Sequence, residues 1–181
     1  MFCLPSPFRS PPIGAPALDS LAIKREGQGM DSMPFTLRPG LPQDATLIRD
    51  FVRAAYAKWV PVMGREPLPM TADYDAALQQ HRFDLAFDGT ELAALIETAV
   101  KDDHLWVENI AVRSDLQGRG LGQRLLRLAE DQARAAGVAE VRLLTNAALT
   151  GNVQFYQTYG FAITATEPFR GGFVVWFAKA V

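Results

Sequence analysis

The segment Gln117-Gly118-Arg119-Gly120-Leu121-Gly122 stands between an apolar, strand-like run (104–112) and a long amphipathic helical pattern that ends at Gly137. A strand, a glycine turn and a helix start aim several backbone N–H groups at one point, where an anion can sit. The helix's first turn strengthens that reading. A first turn usually holds Asp or Glu against the positive end of the helix dipole; here it holds Leu121, Gly122, Gln123 and Arg124, with Arg119 just before. The alternative is a plain glycine-rich connector flanked by solvated arginines. Two phosphate motifs are excluded: a dinucleotide fingerprint needs a third glycine where Gln123 stands, and no Gly-Lys-Ser/Thr follows for a P-loop.

Acid–base chemistry has one good carboxylate candidate. Glu108 is a lone charge in an apolar run, and strand alternation puts it on one face with Trp106, Ile110 and Val112. Burial there would raise its pKa toward neutrality, as a general base requires. A structural pairing with an arginine accounts for it equally well. His104, beside Asp102 and Asp103, reads as a solvated turn histidine, and His81 as a cation near a helix C-terminus. Two histidines without an H-E-x-x-H pattern offer no zinc site, so no metal is expected. Cys3, the single cysteine, lies near the terminus, which leaves no disulfide, zinc cluster or thiol nucleophile for the body of the protein.

At 181 residues the chain suits one domain rather than two. A net charge of -2 provides no basic excess for nucleic acid, and no segment reads as a membrane span. A reducing, cytoplasmic setting follows from the cysteine usage. Residues 1–32 carry Pro5, Pro7, Pro11, Pro12 and Pro16 without an apolar period and read as a disordered tail or a mis-annotated start. Met30 and Met33 precede the first regular pattern, so a native start at one of them is expected, and the intact mass of the native protein decides it.

Residues 33–181 then read as a single domain. A short strand (35–39) is followed by a helix (45–59) with Asp44 as its cap, and a loop (60–70) rich in Pro, Met and aromatic residues. A helix capped by Thr71 runs to residue 80. Strands at 83–87 and 91–100 flank the hairpin signal Asp88-Gly89. After the long helix come a strand (138–145), a short helix (152–159) and a hairpin (161–166 with 173–181). The sum is a mixed α/β sheet, antiparallel at both ends with a β-α-β-α core.

This order of motifs resembles the GNAT superfamily of N-acetyltransferases from about residue 35 to the C-terminus. The matching pieces are Asn109-Ile110-Ala111-Val112, then Gln117-x-x-Gly120-x-Gly122, then Asn152-x-x-x-Tyr156-x-x-x-Gly160-Phe161. The resemblance implies a mostly antiparallel sheet of about seven strands with about four helices, and fourth and fifth strands that splay apart. It implies acetyl-CoA as acyl donor, its pyrophosphate on the amides of Gln117, Gly118, Arg119, Gly120, Leu121 and Gly122. The pantetheine arm would pair like an extra strand with Ile110, Ala111 and Val112, and Asn152 would contact that arm.

Tyr156 matches the tyrosine that protonates the leaving thiolate. A phenol of pKa ~10 can deliver a proton to a thiolate of ~8.5 across a short hydrogen bond; the plainer reading is a core aromatic beside Phe155 and Tyr159. Glu108 would be the base, and a fourth-strand N–H near Ile110 would meet the oxyanion. Acceptor contacts are expected from the first two helices, their loop and the last hairpin. Those include Trp59, Arg65 and Tyr74, with Tyr56, Val60, Met63, Met70, Phe169 and Arg170 around them.

The expected activity is transfer of acetyl to a primary amine of a small molecule or peptide, in a ternary complex, by a monomer or homodimer. The rival from another class is a non-catalytic acetyl-CoA sensor of the same fold.

Overall fold

The computed structural model describes residues 35–181. The expected tail and both candidate start methionines lie outside the described residues. The strands are β1 (Phe35–Pro39), β2 (Arg82–Asp88), β3 (Glu91–Val100), β4 (Leu105–Val112), β5 (Glu140–Asn146), β6 (Ala162–Phe169) and β7 (Gly172–Ala180). They form one sheet of seven in the order β1-β2-β3-β4-β5-β7-β6, antiparallel except for β4 beside β5. The helices are α1 (Ala45–Tyr56), the single turn α2 (Val60–Met63), α3 (Tyr74–Gln80), α4 (Leu121–Ala136) and α5 (Thr150–Tyr159). The mixed, mostly antiparallel α/β sheet expected from the sequence is therefore the fold.

Each face of the sheet has its own core. On one side α4 lays Leu121, Leu125, Leu126, Ala129 and Ala133 against Ile96, Leu105, Val107 and Val141. This is the apolar stripe of a 3.6-residue period. Gly137 closes α4 with φ 74°, its N–H reaching Ala133 and Arg134 carbonyls, a conformation that favours glycine. On the other side α1 sets Ile48, Val52 and Ala55, with Tyr74 of α3, against Phe83, Leu85 and Leu95.

Local details differ from the sequence reading. Asp44 does not cap α1 with its side chain; it accepts from the Leu41 N–H and from Arg38, which hold its carboxyl below the usual range. The cap of the next helix is Asp73, accepting from the Ala76 N–H, so α3 begins at Tyr74 rather than near Thr71. The expected loop 60–70 contains α2 and part of a 3-10 turn, Leu68–Thr71. Pro61 sits at the start of α2, where its missing N–H costs nothing.

Leu126 has no solvent exposure and anchors α4, and with it the glycine turn at the helix's start. Leu126→Ala is expected to cost about 2–5 kcal/mol by urea denaturation, the range for truncating a packed leucine.

Candidate active site

The fourth and fifth strands part almost as soon as they meet. Their pairing consists of Leu105 with Val141 and Trp106 with Arg142, while β4 continues against β3 as far as Val112. The Arg113 N–H donates to the Ala93 carbonyl, so Arg113 points its backbone groups at β3. By strand alternation Ala111 does the same, and Ile110 and Val112 direct theirs into the gap. Side chains meet both of those carbonyls: the Tyr56 hydroxyl donates to Ile110 O (3.2 Å), and Gln117 Nε2 donates to Val112 O (2.9 Å).

The gap widens into a cleft of about 860 Å3, lined by Ile110, Ala111 and Val112, the segment 116–124, Asn152, Phe155 and Tyr156, with Tyr56, Lys58 and Trp59 opposite. The glycine turn forms its floor. Gly118 (φ 76°) and Gly120 (φ 82°) adopt left-handed backbone conformations, and Gly120 is the N-cap of α4. A Cβ on either would meet nothing within 4 Å, so the space over these amides is open to a ligand. Gly122 is small for a different reason: a Cβ there would lie 3.1 Å from the Phe155 ring. No acidic residue stands in the first turn of α4. Open amides at the N-terminus of a helix of this length fit a phosphate-bearing group.

Tyr156 projects from α5 with 6% exposure, packed on Phe155, Phe161 and Phe177. Burial pushes its phenol upward. Burial raises the Tyr56 hydroxyl as well, and the nearby Tyr156 adds to that rise. Asn152 lies on the same helix and lines the same cleft.

Glu108 departs from strict alternation. The β3–β4 register runs Glu97 with Asn109 and then Thr98 with Val107, which leaves Glu108 as the extra residue of a β-bulge. The expectation that Glu108 shares a face with Ile110 and Val112 is thus corrected. Ile110 and Val112 pack against the α4 core, whereas Glu108 approaches His81 (3.9 Å) on the α1–α3 side. Asn109 turns the same way and joins a polar chain: Tyr56 donates to its Oδ1 (2.7 Å), and its Nδ2 donates to the Tyr74 hydroxyl (3.3 Å).

Of the acceptor-side residues, Trp59 lines the cleft and has the Lys58 ammonium over its ring. Arg65 sets its guanidinium over Phe169 of the last hairpin, 5.9 Å from the ring centre. Tyr74 is fully buried and donates to the Pro69 carbonyl, so it supports the site from within the core. His104 is held by Asp103 and Arg142 at the strand's start.

The sequence reading missed Glu97 and its bond to His81, and gave Asn109 no partner beyond its place in the Asn109–Val112 motif. Glu97, 6% exposed, bonds the His81 ring at 2.7 Å, so His81 is more than a cation near a helix end. The one signal was a carboxylate in the otherwise apolar run of β3. Its partner becomes visible only with the hairpin register.

A family model described as "Acetyltransferase (GNAT) family" matches residues 47–161. The chain belongs to the GNAT acetyltransferase family. Solved structures agree in fold. The PaiA N-acetyltransferase from Thermoplasma acidophilum, solved in complex with coenzyme A, is 17% identical with a TM-score of 0.71, covering 82% of this chain and all (100%) of that one. A GNAT family acetyltransferase from Elizabethkingia anophelis, with acetyl-CoA bound, is 20% identical with a TM-score of 0.57 over 81% and 98% of the two chains. An IAA acetyltransferase from Bacillus cereus is 16% identical with a TM-score of 0.61 over 81% and 99%. Comparison with curated proteins finds no match. No helix among the described residues is long and apolar enough to cross a membrane.

Tyr56 ties α1 to the open side of β4 with its single hydroxyl hydrogen, shared between Asn109 Oδ1 at 2.7 Å and Ile110 O at 3.2 Å. Tyr56→Phe is expected to destabilise the fold by about 1–3 kcal/mol in urea denaturation, because Asn109 Oδ1 would lose its donor in a buried place.

Proposed function

We propose that this GNAT protein is an N-acetyltransferase that moves the acetyl group of acetyl-CoA to a primary amine by direct transfer. The observation that carries the reading is the convergence on one cleft of an open amide turn, a strand edge left unpaired by the splay of β4 from β5, and the Tyr156 phenol. Acetyl-CoA, when bound, supplies an acyl group already activated as a thioester. The amides from Gln117 to Gly122 would hold its pyrophosphate, and the gap-facing groups of Ile110 and Val112, with Ala111 between them and Asn152 opposite, would hold the pantetheine arm. The backbone of β4 near Ile110 orients the acyl carbonyl.

Glu108, in the bulge of β4 two residues before Ile110, takes the proton that an alkylammonium must lose before it can attack. Tyr156 gives its proton to the departing sulfur as the carbon–sulfur bond breaks. Burial raises the phenol, so it holds its proton until a thiolate forms beside it. Trp59 and Arg65 border the acceptor side, with Tyr74 behind them. No cysteine stands among the described residues to carry a covalent acyl relay, which supports direct transfer. A cytoplasmic monomer or homodimer acting on a small-molecule or peptide amine, without a metal, completes the proposal.

Thiol release from acetyl-CoA, measured against a panel of primary amines and peptides with free N-termini, tests this function. Amine-dependent release is expected. Saturable acetyl-CoA binding with no release across the panel would favour a sensor. Tyr156→Phe should lower kcat about tenfold or more at unchanged acetyl-CoA affinity, and an unchanged kcat would remove Tyr156 from the proton path. Gly120→Asp should abolish CoA binding in calorimetry, since a side chain at φ 82° and a negative charge would both intrude on the phosphate site. Retained binding would place the pyrophosphate elsewhere.

A further inference from the structure

Glu97 is a carboxylate in the most deeply set strand of the sheet, where residues 92–99 are all buried. A charge in such a place needs a partner. It has one: His81 Nδ1 lies 2.7 Å from Glu97 Oε1, with the two side chains 12% and 8% exposed. His81 is the residue after α3, and its backbone N–H reaches the Ala77 carbonyl, so the chain fixes where the ring can sit. A carboxylate accepts, hence Nδ1 carries the hydrogen, and in the neutral ring Nε2 is left with a lone pair. That nitrogen is the one 3.9 Å from Glu108 Oε1. A purely structural ion pair would use two groups; here the second ring nitrogen faces a third, the carboxylate in the bulge of β4.

We propose that Glu97 and His81 are positioning residues for Glu108, with His81 receiving the proton that Glu108 removes from the acceptor amine. The proposal rests on Glu108 being the base. The ammonium N–H bond breaks, its electron pair stays on nitrogen, and the proton joins a Glu108 oxygen. It then passes to His81 Nε2, giving an imidazolium held by Glu97, and leaves to solvent after the product does. Glu108 is thereby a carboxylate again and cannot return the proton to the amine. A separation of 3.9 Å exceeds a hydrogen bond, and a side-chain rotation of Glu108 or one bridging water spans it.

The surroundings suit a proton arriving here. Burial pushes the Glu97 carboxyl up against the lowering effect of its His81 partner, and the charge of Glu108 adds to the rise. The ionisable groups around the ring are Glu97 from β3, Glu108 from β4, Tyr74 on α3 and Tyr56 from α1, the two phenols each feeling Glu97. Of these five groups, His81 alone can become a cation.

Two measurements on the full chain test the proposal. The first uses no substrate: long-range 1H–15N spectra distinguish the ring tautomers, and with only two histidines in the chain His81→Gln assigns the signals. The Nδ1–H tautomer is expected for neutral His81, and an Nε2–H tautomer would overturn the relay. The second compares pH–rate profiles of wild type, Glu108→Gln, His81→Gln and the near-isosteric Glu97→Gln, using acetyl-CoA and the amine of highest thiol release. His81→Gln and Glu97→Gln should each lower kcat about tenfold and move the acidic limb, at unchanged KM for acetyl-CoA, with the double variant no worse than either single one. Profiles that superimpose on wild type, with only the melting temperature lowered, would make the pair structural and overturn the relay. Unchanged profiles for those variants beside a slow Glu108→Gln would reject the relay alone. A Glu108→Gln enzyme as fast as wild type would reject the base, and the relay with it.

Discussion

The arrangement of this protein depends on where β4 stops pairing with β5. On its far edge β5 is committed to β7 over its whole length, from Glu140 with Ala180 to Asn146 with Val174. On its own far edge β4 is committed to β3 as far as Val112. The two halves of the sheet are each internally satisfied, and they share only the pairs at Leu105 and Trp106. Beyond those pairs backbone groups face a space, and buried backbone groups require partners. Tyr56 and Gln117 provide some, and an extended ligand laid along β4 would provide others. The opening in the sheet and the cleft are one feature.

The bulge at Glu108 sets the second level of organisation. One extra residue lets Ile110 and Val112 pack on the α4 core while Glu108 and Asn109 turn toward α1 and α3. One side of β4 thus faces α4, its glycine turn and α5, where the CoA site is proposed. The other side faces α1, α3 and β3, where the proposed base and its partners stand. Both sets of groups hang on a single strand, so their relative positions are fixed by backbone geometry rather than by the packing of separate domains.

Much of this was legible in the sequence, and the reasons it was or was not are local. The glycine turn could be read because its chemistry is carried by neighbours in the chain: Gly118, Gly120 and the acid-free first turn of α4. The apolar stripe of α4 and the hairpins were legible from their periods. Glu108 was placed on the right strand but with the wrong neighbours, because a bulge changes facing without leaving a mark on an alternating pattern. Glu97 and His81 are sixteen residues apart. Their meeting depends on the turn after α3, the β2–β3 register and the depth of β3 together. No single window of sequence contains those three facts. Asp44 and Thr71 show the same limit at smaller scale, since a side chain suited to capping a helix was drawn to Arg38 in one case and preempted by Asp73 in the other.

The central claim is that the gap beside β4 and the turn before α4 form one continuous CoA site. Titrating the isotopically labelled chain with CoA and following backbone amides tests it most directly. The account predicts saturable one-to-one binding, with the largest shifts at residues 110–112 and 117–124 and in α5 near Asn152. Absence of saturable binding, or shifts concentrated away from both segments, would contradict it.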